Sequence, residues 1–212
     1  MAVVAAGVTL SACGGGQSQD ASEPKGNFPV RVPVASFPTT QRLAQHSHLV
    51  ITVRNAGNKT IPNVAVTICN VTCAYPAPRG EGTNAGAFAQ DISQSGLANP
   101  SRPVWIIDKP PKPAPKLPDG QAGTAGGAVT AYSNTWALGP LRPGATAQFD
   151  WAVTAIVPGR HVVAWEIAAG LNGKAKAVLE DGTKPHGKFT VMISKAPANT
   201  YVTNSGQIAT QK

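Results

Sequence analysis

The sequence predicts an all-β domain, two antiparallel sheets packed face to face, and three observations carry that reading. Among 212 residues there are 22 glycines and 19 prolines, and only 13% of the chain is charged. Charged helix formers are therefore scarce and turn formers plentiful. Apolar residues recur at every second position in several short stretches, the period of a half-buried strand. No stretch repeats convincingly at helical spacing, and none after the N-terminal apolar run reaches the roughly 18–20 apolar residues of a membrane-spanning helix.

Taken in order, residues 1–12 are apolar and uncharged, while 13–27 are dominated by Gly, Ser, Gln and charged side chains. Nothing there can build a core, so 13–27 reads as a flexible tether, and the domain should tolerate loss of 14–27. The folded domain is expected over 28–194. Phe28-Pro29-Val30-Arg31-Val32-Pro33-Val34 mixes period-two apolar residues with prolines, which suits an edge strand. Leu49, Ile51 and Val53 line one face of the next strand, Asn55-Ala56-Gly57-Asn58 turns the chain, and Val64, Val66 and Ile68 line the strand that follows.

From about 74 to 135 the pattern loosens into a long loop insertion. Tyr75 and Phe88 are candidates to pack down on the core, and Val104-Trp105-Ile106-Ile107 is a short strand. Pro110-Pro111-Lys112-Pro113-Ala114-Pro115 prefers polyproline II, and a Gly-rich stretch follows. Loops of this length inside a compact domain are either functional or disordered. Order returns with the turn Leu141-Arg142-Pro143-Gly144, which leads into Phe149, Trp151 and Val153 on one face. Pro158-Gly159 then turns the chain into Val163, Trp165 and Ile167. Asn172-Gly173 is a strong hairpin signal, joining that strand to one over 174–179. Phe189, Val191 and Ile193 close the set. Residues 195–212 form a polar tail in which only Tyr201, Val202 and Ile208 suggest docking. Trp151 and Trp165 belong to the core. Trp105 and Trp136 border the insertion, where the choice lies between core and a groove that stacks a glycan or peptide.

This strand–turn rhythm resembles bacterial immunoglobulin-like domains of the CARDB type, found in cell-surface proteins. The likeness is carried by 49–55 with Gly57, by 64–68, by Leu141-Arg142-Pro143-Gly144, by 149–153, and by Pro158-Gly159 ahead of 163–167. It covers 28–194, although 73–135 is longer than such domains need. It implies an immunoglobulin-like antiparallel β-sandwich with long loop insertions, and it implies no ligand.

Leu10-Ser11-Ala12-Cys13, between an apolar run and Gly14-Gly15-Gly16, resembles the lipobox of bacterial lipoproteins. That resemblance implies a signal peptide over 1–12, cleavage before Cys13, and a diacylglycerol on its thiol. The protein would then be anchored by lipid to the extracytoplasmic face of the cell membrane. No Lys or Arg precedes Cys13, so a basic stretch is expected upstream of Met1. With Cys13 consumed, Cys69 and Cys73 remain as an even pair, and in an oxidising compartment a disulfide is expected. An extended chain would hold their Cα atoms about 13 Å apart. A disulfide needs about 4.4–6.8 Å, so the chain must turn at Asn70-Val71-Thr72.

The net charge of +8 comes from basic residues scattered from Lys25 to Lys212. Without a dense cluster or a reader motif, this excludes the nucleic-acid-binding class. Anionic lipid headgroups or an anionic wall polymer suit such a field in an exported protein. The imidazoles of His46 and His48 share one strand face about 7 Å apart. Joined with Cys69 and Cys73, they compose the alternative reading, an envelope copper- or zinc-binding or thiol-redox protein. Against it, the cysteines lack the ligand spacing of a metal site, so no metal or cofactor is assigned. His161 and His186 have no sequence-near partner and read as solvated.

Asp150 and Glu166 alternate with Trp151 and Trp165 and therefore point outward. They would serve a wall-active hydrolase only by sharing a cleft. No nucleophile elbow, phosphate loop or zinc motif is present, so no catalytic residue is assigned. The expected function is a non-enzymatic binding, adhesion or assembly module with an envelope protein or wall polymer as partner. The insertion is the first place to look for its recognition surface.

Overall fold

The computed structural model describes residues 22–70, 73, 87–90, 103–112, 135–198, 200–206 and 208–210. In chain order the strands of the sandwich are β1 (Gly26–Ser36), β2 (Thr40–Leu43), β3 (His46–Asn55), β4 (Ala65–Asn70), β5 (Phe88–Gln90), β6 (Trp105–Lys109), β7 (Thr135–Ala137), β8 (Thr146–Ala155), β9 (Gly159–Ala168), β10 (Ala175–Val178) and β11 (His186–Pro197). They form a six-stranded sheet in the order β10-β1-β3-β8-β6-β5 and a five-stranded sheet in the order β2-β11-β9-β4-β7. A separate two-stranded ribbon pairs β12 (Thr200–Val202) with β13 (Ile208–Thr210). Tyr201, Val202 and Ile208 thus pair with each other's strands rather than joining the sandwich sheets. Among the described residues no helix is long and apolar enough to cross a membrane.

The alternation read from the sequence sets the facing of the long strands. Leu49, Ile51 and Val53 are fully buried, and so are Phe149, Trp151 and Val153 on the neighbouring strand β8. Val66, Ile68, Val163, Ile167, Val191 and Ile193 face them from the other sheet. All four tryptophans are buried, so Trp105 and Trp136 belong to the core and not to a stacking groove. Trp136 meets Trp151 edge to face with ring centres 5.5 Å apart, a favoured aromatic geometry. Gly187 lies directly under Trp165, where a Cβ would come within 2.5 Å of the ring. Phe88 packs into the core beside Trp105, while Tyr75 lies outside the described residues.

Two polar side chains hold the layers in register. Gln41 on β2 is buried; its Oε1 accepts from Trp105 Nε1 at 2.8 Å and its amide donates to the carbonyl of Pro38. This bond links the edge of one sheet to the interior of the other. Asn55 is also buried, donating to the carbonyls of Lys59 and Leu141 at 2.8 Å and accepting from the amide of Gly57. It thereby ties the turn after β3 to the turn before β8.

The sheets are mixed rather than purely antiparallel. β1 pairs in parallel with β10, β11 with β2, and β5 with β6. The cause is topological, since nearly every connection passes the chain to the opposite sheet. The residues around Asn172-Gly173 therefore do not close a β-hairpin. They turn as expected, with Gly173 at a φ of 75°, but hand the chain from β9 in one sheet to β10 in the other. β1 is not a sheet edge either. Its first residues pair with β10 and its later ones with β3, and Pro33 falls where the register with β3 shifts. A residue without an N–H is tolerated at such an irregularity.

Because Trp151 fills the middle of the interlayer, Trp151→Ala should cost about 3–5 kcal/mol of stability. Urea unfolding of the two proteins followed by circular dichroism is the measurement. Equal midpoints would contradict the facing of β8.

Candidate functional site

Cys69 and Cys73 are joined as a disulfide with Cα atoms 5.2 Å apart. That separation is far below an extended span and within the range a disulfide needs. Val71 and Thr72, where the turn is expected, lie outside the described residues, as does Cys13. Cys69 pairs with Ala164 of β9 and alternates with the inward Ile68. The bridge therefore sits on the outer face of the five-stranded sheet.

His46 and His48 are on the opposite outer face. They flank buried Ser47 on β3 and point out of the six-stranded sheet. His46 Nδ1 lies 3.1 Å from Asp108 Oδ2 and 2.9 Å from Thr154 Oγ1, and the Thr154 hydroxyl donates to the same Asp108 oxygen at 2.7 Å. His48 Nδ1 is 2.7 Å from Asp150 Oδ1. Each imidazole is thus directed to its own carboxylate, His48 to Asp150 on the adjacent β8 and His46 to Asp108 on β6, one strand further. The full thickness of the sandwich separates this strip from the cysteines, which are oxidised. This corrects the alternative grouping of His46, His48, Cys69 and Cys73 as one metal or thiol-redox site. No group of three or more His, Cys, Asp or Glu side chains among the described residues could hold a metal ion.

Asp150 and Glu166 are likewise on opposite outer faces, on β8 and β9. They share no cleft, which removes them as a pair of hydrolase carboxylates. Asp150 is engaged by His48, and Glu166 accepts from Lys184 Nζ at 2.6 Å. His186 is exposed, its Nδ1 at 2.8 Å from the Lys184 carbonyl. His161 differs from its expected solvated state: it is partly buried, bonds the carbonyl of Val157 at 2.9 Å and stands edge-on to Trp105.

An open groove of about 680 Å³ runs between the outer face near β9 and strand β10. Its lining includes Thr67, Thr135, Glu166, Leu171 and Lys184. The hydroxyls of Thr67 and Thr135 bond at 2.8 Å, leaving a mixed apolar and polar surface at an edge of the sandwich. The groove's rim is shaped by a residue that composition assigned to the tether. Glu23 is 9% exposed, and its carboxylate accepts from the amides of Asn172 at 2.7 Å and Ala175 at 2.6 Å. A Cβ on Gly170 would collide with that carboxylate, so the absence of a side chain there makes the seat. The folded part consequently reaches back to Glu23, and loss of 14–27 would remove this contact and the start of β1. No sequence signal marked the seat, because a carboxylate finding backbone amides about 150 positions away leaves no local pattern.

Two facing sheets with this strand layout define the chain as an all-β sandwich. No protein-family model and no curated protein matches the sequence. Among solved structures it is similar to the CARDB domain of a Pyrococcus furiosus protein, described in complex with di-metal ions. The identity is 11% and the TM-score 0.40, over 79% of this chain and 93% of that one. A fragment of native Escherichia coli alpha-2-macroglobulin is similar at 14% identity and TM-score 0.41, over 85% of this chain and 21% of that one. A PapD-like domain of human CEP192 is similar at 12% identity and TM-score 0.35, over 92% of this chain and all of that domain, 100%.

Burial pushes the Glu23 carboxyl up, but bonds from the amides of Ala175, Asn172, Lys174 and Leu171 outweigh it and hold the carboxyl below the usual glutamate range. A depressed folded value means stability that is fully present above the unfolded pKa and lost as pH falls through the folded one. Glu23→Gln should therefore cost about 2 kcal/mol at neutral pH. The gap to the wild type should close below about pH 4.3, the unfolded glutamate value. Paired unfolding curves across that range are the check, and a pH-independent gap would contradict it. For the disulfide, the full chain should show free thiol only at Cys13 until reductant is added. Breaking so short a loop as Cys69–Cys73 should lower stability by about 2 kcal/mol.

Proposed function

We propose that the chain is a lipid-anchored, non-enzymatic binding module of a bacterial cell envelope. Cys13 is its anchor and the sandwich its recognition surface. The observation that carries the reading is the cysteine arithmetic. With Cys69 and Cys73 closed on each other, Cys13 is the one cysteine left over, and it stands within Leu10-Ser11-Ala12-Cys13. An intrachain disulfide also belongs to an oxidising compartment. The separation of Asp150 from Glu166, and of the histidines from the cysteines, supports binding over catalysis, since none of these candidate groups converges on a reacting atom.

The groove beside β10 is of a size that takes a peptide or saccharide segment, with Glu166 and Lys184 as fixed polar contacts. The insertion over 74–135 lies largely outside the described residues, and the groove stands beside it as a recognition surface to examine.

Metabolic labelling with a fatty-acid probe in a bacterial host tests the anchor. The wild type should carry the label and fractionate with membranes, and Cys13→Ala should lose the label and stay unprocessed. Label that survives the substitution would overturn the assignment of Cys13.

A further inference from the structure

Both outer faces carry cations without an ion pair among the described residues. On the six-stranded face Asp108 and Asp150 lie against the histidines and Glu180 takes Arg31, while Arg54 on β3 and Lys176 on β10 form none. On the five-stranded face the cations surround an exposed apolar side chain. Its strand carboxylate, Glu166, lies toward the far end of β9 and is held by Lys184. At the other end Met192 of β11 is 50% exposed, between Arg160 of β9 and Thr40 of β2 in the same row. Arg42 stands beside Ser194, and Lys188 beside Ala164. These partners share a face because aligned residues on neighbouring strands point the same way. Among the described residues the side chains of Arg42, Arg160 and Lys188 form no ion pair. The patch spans about 20 Å along β11 and roughly 10 Å across three strands.

We propose that this face rests on the anionic phospholipid surface of the membrane that holds the anchor. Arg42, Arg160 and Lys188 meet headgroup phosphates, and Met192 enters the interface between them. Complementary charge alone would suit any polyanion. The exposed apolar side chain at the centre of a flat basic patch selects a bilayer, which offers acyl chains beneath its charge. The inference deepens the reading of Cys13 as an anchor. Nine residues lie between Cys13 and Glu23. The ten steps from Cys13 to Glu23 span at most about 36 Å, which keeps the sandwich near the surface and lets it lie on its side.

The test uses the full chain with Cys13→Ser, which carries no lipid, so its outcome is independent of the labelling experiment. Co-sedimentation should show binding to vesicles of phosphatidylcholine mixed with phosphatidylglycerol and none to phosphatidylcholine alone. Binding should vanish at about 1 M salt, where the screening length is near 3 Å. Arg160→Gln with Lys188→Gln should weaken it roughly 25-fold, about fivefold per cation. Lys59→Gln with Lys176→Gln, an equal charge loss elsewhere, should change it little. Met192→Gln should weaken vesicle binding and leave binding to a soluble poly(glycerol phosphate) unchanged. Equal loss in both charge pairs, indifference to Met192, or binding to phosphatidylcholine alone would overturn the proposal. So would stronger binding to the soluble polymer than to vesicles, which would make this a polymer-binding face.

Discussion

The inner face of one sheet can be buried only against the inner face of the other, and everything else in this molecule answers to that constraint. Four tryptophans occupy the space between the layers. Rings of that size fit because Gly187 leaves room under Trp165 and because Trp136 and Trp151 meet edge to face. The cost is visible in the indole N–H groups. Trp105 finds Gln41, whereas those of Trp136, Trp151 and Trp165 have no partner among the described residues. An unpaired buried donor typically costs about 1–3 kcal/mol, less than the apolar area such a ring removes from water contributes together with its packing. The interlayer is held by area first and by polar registration second.

What the sequence disclosed follows from the range of the forces involved. The facing of β3, β4, β8, β9 and β11 was legible because period-two alternation is written locally and each of these strands is covered on one side only. The turn at Asn172-Gly173 was legible as a turn, but its partner was not. Whether a strand after a turn rejoins its predecessor or crosses to the other sheet depends on surfaces far away in sequence. β2 and β7 were missed for the same reason: with four and three residues they have little pattern of their own and exist because β11 and β4 offer edges. At the candidate site, the cysteine pair could be reasoned from compartment and parity. The grouping of His46 and His48 with those cysteines could not be judged, because outward residues look alike until each strand is assigned to a sheet. Glu23 was hidden most deeply, since its partners are main-chain amides that any residue would carry.

The two exteriors are chemically unlike although the strands beneath them are built alike. One carries imidazoles, carboxylates and a hydroxyl that satisfy one another laterally across β3, β8 and β6. The other carries Arg42, Arg160 and Lys188 along β2, β9 and β11, a neutralised Glu166–Lys184 pair toward one end, and the disulfide. A sandwich offers two such surfaces with no shared side chains, so one can change without disturbing the other, and one fold can host many uses.

The habit of passing the chain from sheet to sheet has a kinetic consequence. Apart from β5 with β6 and the β12–β13 ribbon, sequential strands do not pair with each other: β1 must find β3 and β10, β4 must find β9, and β2 must find β11. Topologies dominated by such distant pairings fold in about milliseconds to seconds, not microseconds. Until the two sheets are assembled their inner faces stay open to other chains, so the slow step is also the one most exposed to aggregation.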